Sequence, residues 1–282
     1  VRTVLLTAAA LVGFSANSLL TRAALGAHLI DAPSFTMIRL ITGALTLAVL
    51  LRARSTPPGG RASWLGALAL AGYAVAFTVA YTRIGAAAGA LLLFGAVQVT
   101  MTGTGLVRGE RPRRVDWIGL LLAVAGLAVL TLPGATAPDV LGVLLMLAAG
   151  AFWGVYSLLG RTSRDPLATT AGNFARASVL AVVALAAAVP AASLTWRGVL
   201  LATASGSLAS GVGYTLWYAA LPALAAWRAA LLQLLVPVVT AMAATLWLGE
   251  SISSRLLTAT ALVITGVWLT IDVRRRATSS SQ

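Results

Sequence analysis

Tyr73, Phe77 and Tyr81 recur at i, i+4 and i+8, and Ser207, Ser210, Tyr214, Trp217 and Tyr218 follow helical spacing in a second, distant segment. Aromatic rings with polar tips suit a site that holds an apolar body and hydrogen-bonds a carboxylate or an ammonium. A ligand cation is also accommodated over a ring face. Tyr81 and Tyr218 lie near segment ends, where an interfacial aromatic belt is the competing reading. Phe14 and Asn17 in the first apolar segment pair, by an internal repeat described below, with Trp153 and Tyr156 in the sixth. Asn17 must bond across helices or face water, because a bare amide in hydrocarbon is costly. Phe94, Gln98 and Met101 share one face of the fourth segment, and Gln233 sits in the ninth. The candidate binding set is thus Phe14, Asn17, Tyr73, Phe77, Tyr81, Phe94, Gln98, Met101, Trp153, Tyr156, Ser210, Tyr214 and Trp217.

Three arginines, Arg39, Arg176 and Arg228, fall inside apolar segments. Such a residue faces a wet interior or snorkels from near a helix end. Arg228 is close enough to an end to snorkel. Arg176, well inside its segment, is the foremost candidate for a cavity rim, an anion contact or a bond to backbone carbonyls. All seven acidic residues lie in loops or at helix ends, so no carboxylate stands mid-segment to carry a proton or bind sodium. There is no cysteine, and the one histidine, His28, lies in a short loop. No metal site, cofactor or catalytic constellation is expected, and an enzyme is set aside.

These side chains sit in a chain that is 59% hydrophobic and 10% charged, against about a quarter charged in soluble domains. Apolar windows of spanning length fall near 4–25, 33–53, 64–82, 84–107, 115–133, 139–160, 167–189, 197–219, 223–248 and 255–273. They are too long and too evenly apolar for barrel strands, so an all-α integral membrane protein of ten transmembrane helices is expected. Asn17 and Arg22 argue against reading the first segment as a cleaved signal peptide. The net charge of +13 would suggest nucleic acid in a soluble protein, but the arginines are spread over short loops and set topology instead. Arg2, Arg52, Arg54, Arg61, Arg108, Arg111, Arg113, Arg114, Arg161, Arg164, Arg274, Arg275 and Arg276 share the side of the termini, against Arg22, Arg83, Arg197 and Arg255 opposite. Both termini are therefore expected in the cytoplasm. The arginine-only, Ala- and Gly-rich composition suggests a bacterial inner-membrane protein, and a monomer is expected.

The chain also repeats itself. At an offset of 140, Ala90–Gly126 matches Ala230–Gly266 at Leu91/Leu231, Leu92/Leu232, Val99/Val239, Thr100/Thr240, Leu106/Leu246, Gly109/Gly249 and Glu110/Glu250, among others. The Gly-Glu step leaving an apolar segment is the part that composition alone does not supply. At an offset of 139, Ser18-Leu19-Leu20 and Arg22 match Ser157-Leu158-Leu159 and Arg161. Two repeats of five spans each, 1–135 and 136–282, are expected, and an odd number of spans inverts the second relative to the first. Inverted repeats suit alternating access around a central site, the architecture of secondary transporters, although some channels share it.

Tyr218-Ala219-Ala220-Leu221, Leu231-Leu232, Pro237-Val238, Leu248-Gly249-Glu250 and Gly266-Val267, with Trp153-Gly154 and one arginine in the second span of each half, resemble the EamA-type repeat of the drug/metabolite transporter superfamily. The resemblance implies two inverted five-helix repeats around a central cavity formed by the first four helices of each half. Departures are Val97 where the second half has Pro237, and a first half about three residues shorter between Tyr81 and Glu110 than between Tyr218 and Glu250. Length and cavity character are similar to the YddG-type aromatic amino-acid exporters. The expected function is export of aromatic or other apolar amino acids, or of similar small metabolites, with a broad drug exporter as the alternative. The partners expected are a small-molecule substrate and the lipid bilayer. Gly85-x-x-x-Gly89, Gly206-x-x-x-Ser210 and Pro237 are expected to allow close helix contact and a kink.

Overall fold

The structure is a computed structural model that describes residues 2–54, 59, 62–84, 86–131, 139–186, 193–248, 257–258, 261–266 and 268–269. Among them the regular structure is helical: α1 (Arg2–Gly26), α2 (Ala32–Arg52), α3 (Trp64–Tyr81), α4 (Ala86–Val107), α5 (Arg114–Thr131), α6 (Val140–Gly160) and α7 (Pro166–Leu185) come first. They are followed by α8 (Trp196–Ala223), α9 (Ala226–Gln233) and α10 (Leu235–Leu248). Six helices, α1, α2, α3, α6, α7 and α8, are long and apolar enough to cross a membrane. Gly85, Arg61, Gly249, Glu250, Arg255 and Arg274 to Arg276 lie outside the described residues.

Local chemistry sets the helix boundaries. Asp31, Ser63, Asp139, Asp165 and Thr195 cap α2, α3, α6, α7 and α8, each accepting the N–H three residues on. Pro33 and Pro166 sit in the first turns of α2 and α7, where the missing N–H has no intrahelical partner to lose. Gly109 adopts a φ of +83° past the end of α4. Its N–H bonds Leu106 O at 3.0 Å and the Glu110 N–H bonds Gly105 O at 2.8 Å, the Schellman arrangement that favours glycine at this position.

α9 stops at Gln233, four residues before Pro237, and α10 resumes at Leu235. A proline ring clashes with the carbonyl four residues back and cannot donate to it, so the break falls where that carbonyl sits. In α8, Ser205–Val212 is a π-helical segment.

The most extensive contacts join helices of the N-terminal five to helices that follow: α3 with α6 and α7, α4 with α6 and α9, α2 with α7 and α8, α1 with α8 and α10. α5 packs on α4, and residues 261–266 approach α5 closely enough that Gly266 faces Gly119 O. Large apolar side chains such as Val4, Leu5, Val12, Leu45, Val49, Leu68, Val99, Leu121, Leu144, Val183 and Leu208 point outward, while the polar side chains of Asn17, Arg39, Ser210 and Gln233 are buried. That inversion of the soluble pattern fits a hydrocarbon surround. The structure is a multi-pass membrane protein.

Candidate functional site

Aromatic rings from four helices meet at the centre of the bundle. Trp153 of α6 lies 4.6 Å from Tyr214 of α8, 5.0 Å from Tyr73 of α3 and 5.2 Å edge-to-face from Phe14 of α1, centroid to centroid. Phe14 also meets Tyr214 and Trp217 at 5.6 Å. These separations and tilts suit the ring quadrupoles, and the rings brace one another. They enclose a cavity of about 20 Å³ lined by Phe14, Asn17, Ser18, Tyr73, Phe77, Leu93, Phe94, Trp153, Tyr214 and Val236. Such a volume holds a water-sized occupant, whereas pockets that take organic ligands run to several hundred Å³.

Seven residues of the sequence-derived set line this cavity: Phe14, Asn17, Tyr73, Phe77, Phe94, Trp153 and Tyr214. Ser18, Leu93 and Val236 complete the lining. Ser18 stands one turn beyond Phe14 on the same face and was reachable by spacing, whereas Leu93 and Val236 carry no chemical signal in an apolar sequence.

The remaining candidates form the layers around it. Tyr81 stacks edge-on against Phe77 at 4.6 Å toward one end. Toward the other end, Tyr156 packs on Tyr218 at 4.7 Å, the Tyr218 hydroxyl donates to Tyr156 O at 2.8 Å, and Trp217 Nε1 donates to Ser157 Oγ at 3.1 Å. Gln98 is buried with its Oε1 accepting from Thr102 Oγ1 at 3.4 Å, away from the lining. Met101 Sδ accepts from Gln233 Nε2 at 3.4 Å, and Gln233 Oε1 accepts from Trp153 Nε1. A single amide thus fixes the tilt of the central indole. Asn17 does both things expected of it, lining the cavity while its Oδ1 accepts from Ser205 Oγ on the π-helical segment.

The two candidate arginines part company. Arg176 is half-buried, donates to Gly172 O at 3.3 Å within its own helix and sits 5.4 Å over the Trp64 ring. Arg39 is the buried one, 1% exposed. Its Nε donates to Ser210 Oγ at 2.9 Å and one Nη donates to the Tyr214 hydroxyl. The guanidinium lies 5.5 Å from the Tyr73 centroid and 5.7 Å from that of Phe77. An arginine at such depth costs roughly 2.5–3.5 kcal/mol on insertion scales, which ring faces and hydroxyls offset in part. Gly206, on the π-helical segment, abuts the Arg39 carbonyl so closely that a methyl there would collide with backbone. Arg228 lies 4.9 Å over its neighbour Trp227.

Charged groups at the two ends tie the early helices to the late ones. Arg54 makes two contacts of 2.8 Å with the Asp165 carboxylate. That bond, opposed by desolvation and aided by the N–H groups of Gly59 and Ala168, holds the Asp165 pKa at about 2, well below the usual carboxylate range. Glu110, delivered by the Gly109 turn, pairs with Arg161 at 2.8 Å and accepts the Ala226 N–H at the start of α9. Arg161 also donates to Leu224 O. At the opposite end Asp31 accepts from Ser193 N at 2.9 Å, Leu29 O accepts from Thr195 N, and Ile30 and Leu194 form an antiparallel bridge. Among the described residues, no group of three or more His, Cys, Asp or Glu is placed to hold a metal.

Comparison with known proteins places this arrangement. Residues 140–272 match the EamA-like transporter family. Over 274 residues the chain is 51% identical to the Uncharacterized protein PA1977 of Pseudomonas aeruginosa, covering 97% of this chain and 96% of that protein. It is 29% identical over 210 residues to the Uncharacterized transporter YwfM of Bacillus subtilis, 72% of this chain and 71% of that one. A protein crystal structure superposes with a TM-score of 0.80 at 21% identity, over 98% of this chain and 97% of that chain, a likeness of fold. Residues 140–272 thus carry an EamA-like transporter domain, which together with the similarity to a Bacillus subtilis transporter supports the drug/metabolite transporter superfamily, membrane transporters of small molecules rather than enzymes.

Proposed function

We propose that the protein is a secondary transporter that exports aromatic or other apolar amino acids, or similar small metabolites, across the bacterial inner membrane by alternating access. In this reading the chain makes ten spans in two inverted repeats, 1–135 and 136–282, works as a monomer and has both termini in the cytoplasm. The observation that carries it is the central cavity, whose walls of Phe14, Tyr73, Trp153 and Tyr214 come from both proposed repeats. Repeat-matched Phe14 and Trp153 meet there edge to face. Rings with polar tips bind an apolar side chain and leave hydroxyl and amide groups for the amino-acid head.

Both ends of the bundle are bridged between the proposed repeats, by Arg54–Asp165 and Glu110–Arg161 on the cytoplasmic side and by Asp31 with Ser193 on the other. Alternating access asks for breakable closures of this kind at each end. The five acidic residues among those described all cap or pair at helix ends, which favours facilitated diffusion or exchange over coupling through a mid-membrane carboxylate. A broad drug exporter is the competing reading. The buried positive charge of Arg39 beside the cavity disfavours the cationic compounds such a protein would carry.

The test is uptake of labelled tryptophan, phenylalanine, methionine and threonine into liposomes holding the purified protein. Saturable uptake competed by unlabelled analogues is expected, with Tyr73→Ala, Phe77→Ala and Tyr214→Ala each weakening it roughly tenfold. Wild-type flux in all three folded variants would sink the cavity assignment. Uptake of bulky apolar cations with none of the amino acids would favour the drug exporter.

A further inference from the structure

We infer that Arg39 is the receptor for a carboxylate on the transported molecule, which narrows the substrate to organic acids with an apolar body, amino acids among them. The inference rests on the transporter reading above and deepens it at the same site. Arg39 is buried, yet its partners among the described residues are neutral: the hydroxyls of Ser210, Tyr214 and Tyr73 and the ring faces of Tyr73 and Phe77. Among the described residues its Nη1 has no acceptor in hydrogen-bonding geometry. A buried guanidinium is ordinarily matched by a carboxylate, because an unpaired charge out of water is costly.

Protein carboxylates do not fill that role among the described residues. Asp31 caps α2, Asp116 pairs with Arg113, Asp139 with Arg83, Asp165 with Arg54 and Glu110 with Arg161, all at helix ends. What the site offers instead is a buried N–H without an acceptor, on a rigid fork directly behind the cavity lining. It lies against Tyr73 and Phe77, and both rings line the cavity. The planar guanidinium donates parallel bonds to a carboxylate in a way a lysine ammonium does not. Tyr214 accepts from Arg39 through its oxygen and so steadies the fork beside the cavity. Phe14, Phe94 and Trp153 then receive the apolar body. A single such cation suits one carboxylate better than a phosphate dianion, since Arg176 is engaged elsewhere with Gly172 and Trp64.

Three matched probes separate the charges: 3-phenylpropionate carries the carboxylate alone, phenethylamine the ammonium alone, and L-phenylalanine both. Calorimetric titration of the purified full chain in detergent should show the two carboxylates binding about tenfold or more tightly than the amine. Arg39→Gln should bring that ratio to within about twofold, and Arg39→Lys should retain part of it. Should the glutamine variant fail to fold, Tyr214→Phe, which removes the hydroxyl that holds the Arg39 fork, should narrow the same ratio severalfold. A wild-type ratio near one, or an equal loss of all three probes in Arg39→Gln, would mean that Arg39 only ties α2 to α8 and would overturn the inference alone. Binding of 3-phenylpropionate without L-phenylalanine would support the anion site and sink the amino-acid reading. No saturable binding of any probe by monodisperse protein would overturn both.

Discussion

The central indole shows how a single polar contact can set a site made mostly of rings. Trp153 touches Phe14, Tyr73, Tyr156 and Tyr214, and its indole N–H donates to Gln233 Oε1. Gln233→Leu keeps the volume but leaves a buried indole N–H unsatisfied, at a cost of about 1–3 kcal/mol. A lower unfolding midpoint and weaker uptake are expected together, read by thermal unfolding in detergent and by the liposome assay. Wild-type values of both would show that Gln233 does not orient the ring. The types of these residues were legible in the sequence, and seven of the thirteen candidates line the cavity. Their partners were not. Arg39 and Arg176 each fall in the second apolar segment of a proposed repeat, and the sequence favoured Arg176, yet it is Arg39 that meets the central rings. The rotation of a helix about its own axis is fixed by its neighbours, and an almost uniformly apolar helix carries little periodic signal to reveal it.

Helix ends were easier to read than helix irregularities. Among the described residues the expected segments from 4–25 to 197–219 overlap single helices and 223–248 is divided between two, because apolar length and caps are local properties of the chain. Pro237 announced the break between α9 and α10 in the same way. The π-helical segment Ser205–Val212 went unseen, since even spacing of Ser207, Ser210 and Tyr214 assumes 3.6 residues per turn. That segment supplies both Ser205, which holds Asn17, and Ser210, which holds Arg39. At the clamp, Asp165 combines the cap of α7 with the fork of Arg54. Its pKa is lowered from 3.8 to about 2, so its stabilisation is fully present above the ordinary carboxylate range and is lost as pH falls through about 2. Asp165→Asn is expected to lower the unfolding midpoint at neutral pH, with the gap to wild type closing between about pH 4 and about pH 2. A gap that stays constant over that interval would show that the charge of Asp165 contributes nothing.

At the scale of the whole molecule, the heaviest packing runs between early and late helices, so neither half encloses the cavity alone. The Gly-Glu step that recurs in the sequence has a physical meaning at its first occurrence: Gly109 ends α4 and points Glu110 at Arg161 and at the start of α9. Its match, Gly249-Glu250, lies outside the described residues. Contacts join early helices to late ones at both ends of the bundle, and the alternating access proposed above requires one set to break at a time. Counterflow tests that claim most directly. Liposomes containing the protein are loaded with unlabelled phenylalanine and diluted into a trace of labelled phenylalanine. A carrier with one central site should give a transient accumulation of label above equilibrium that disappears without the internal load. Label that equilibrates at the same rate with and without the load, or that does not enter, would contradict an amino-acid carrier working through this cavity.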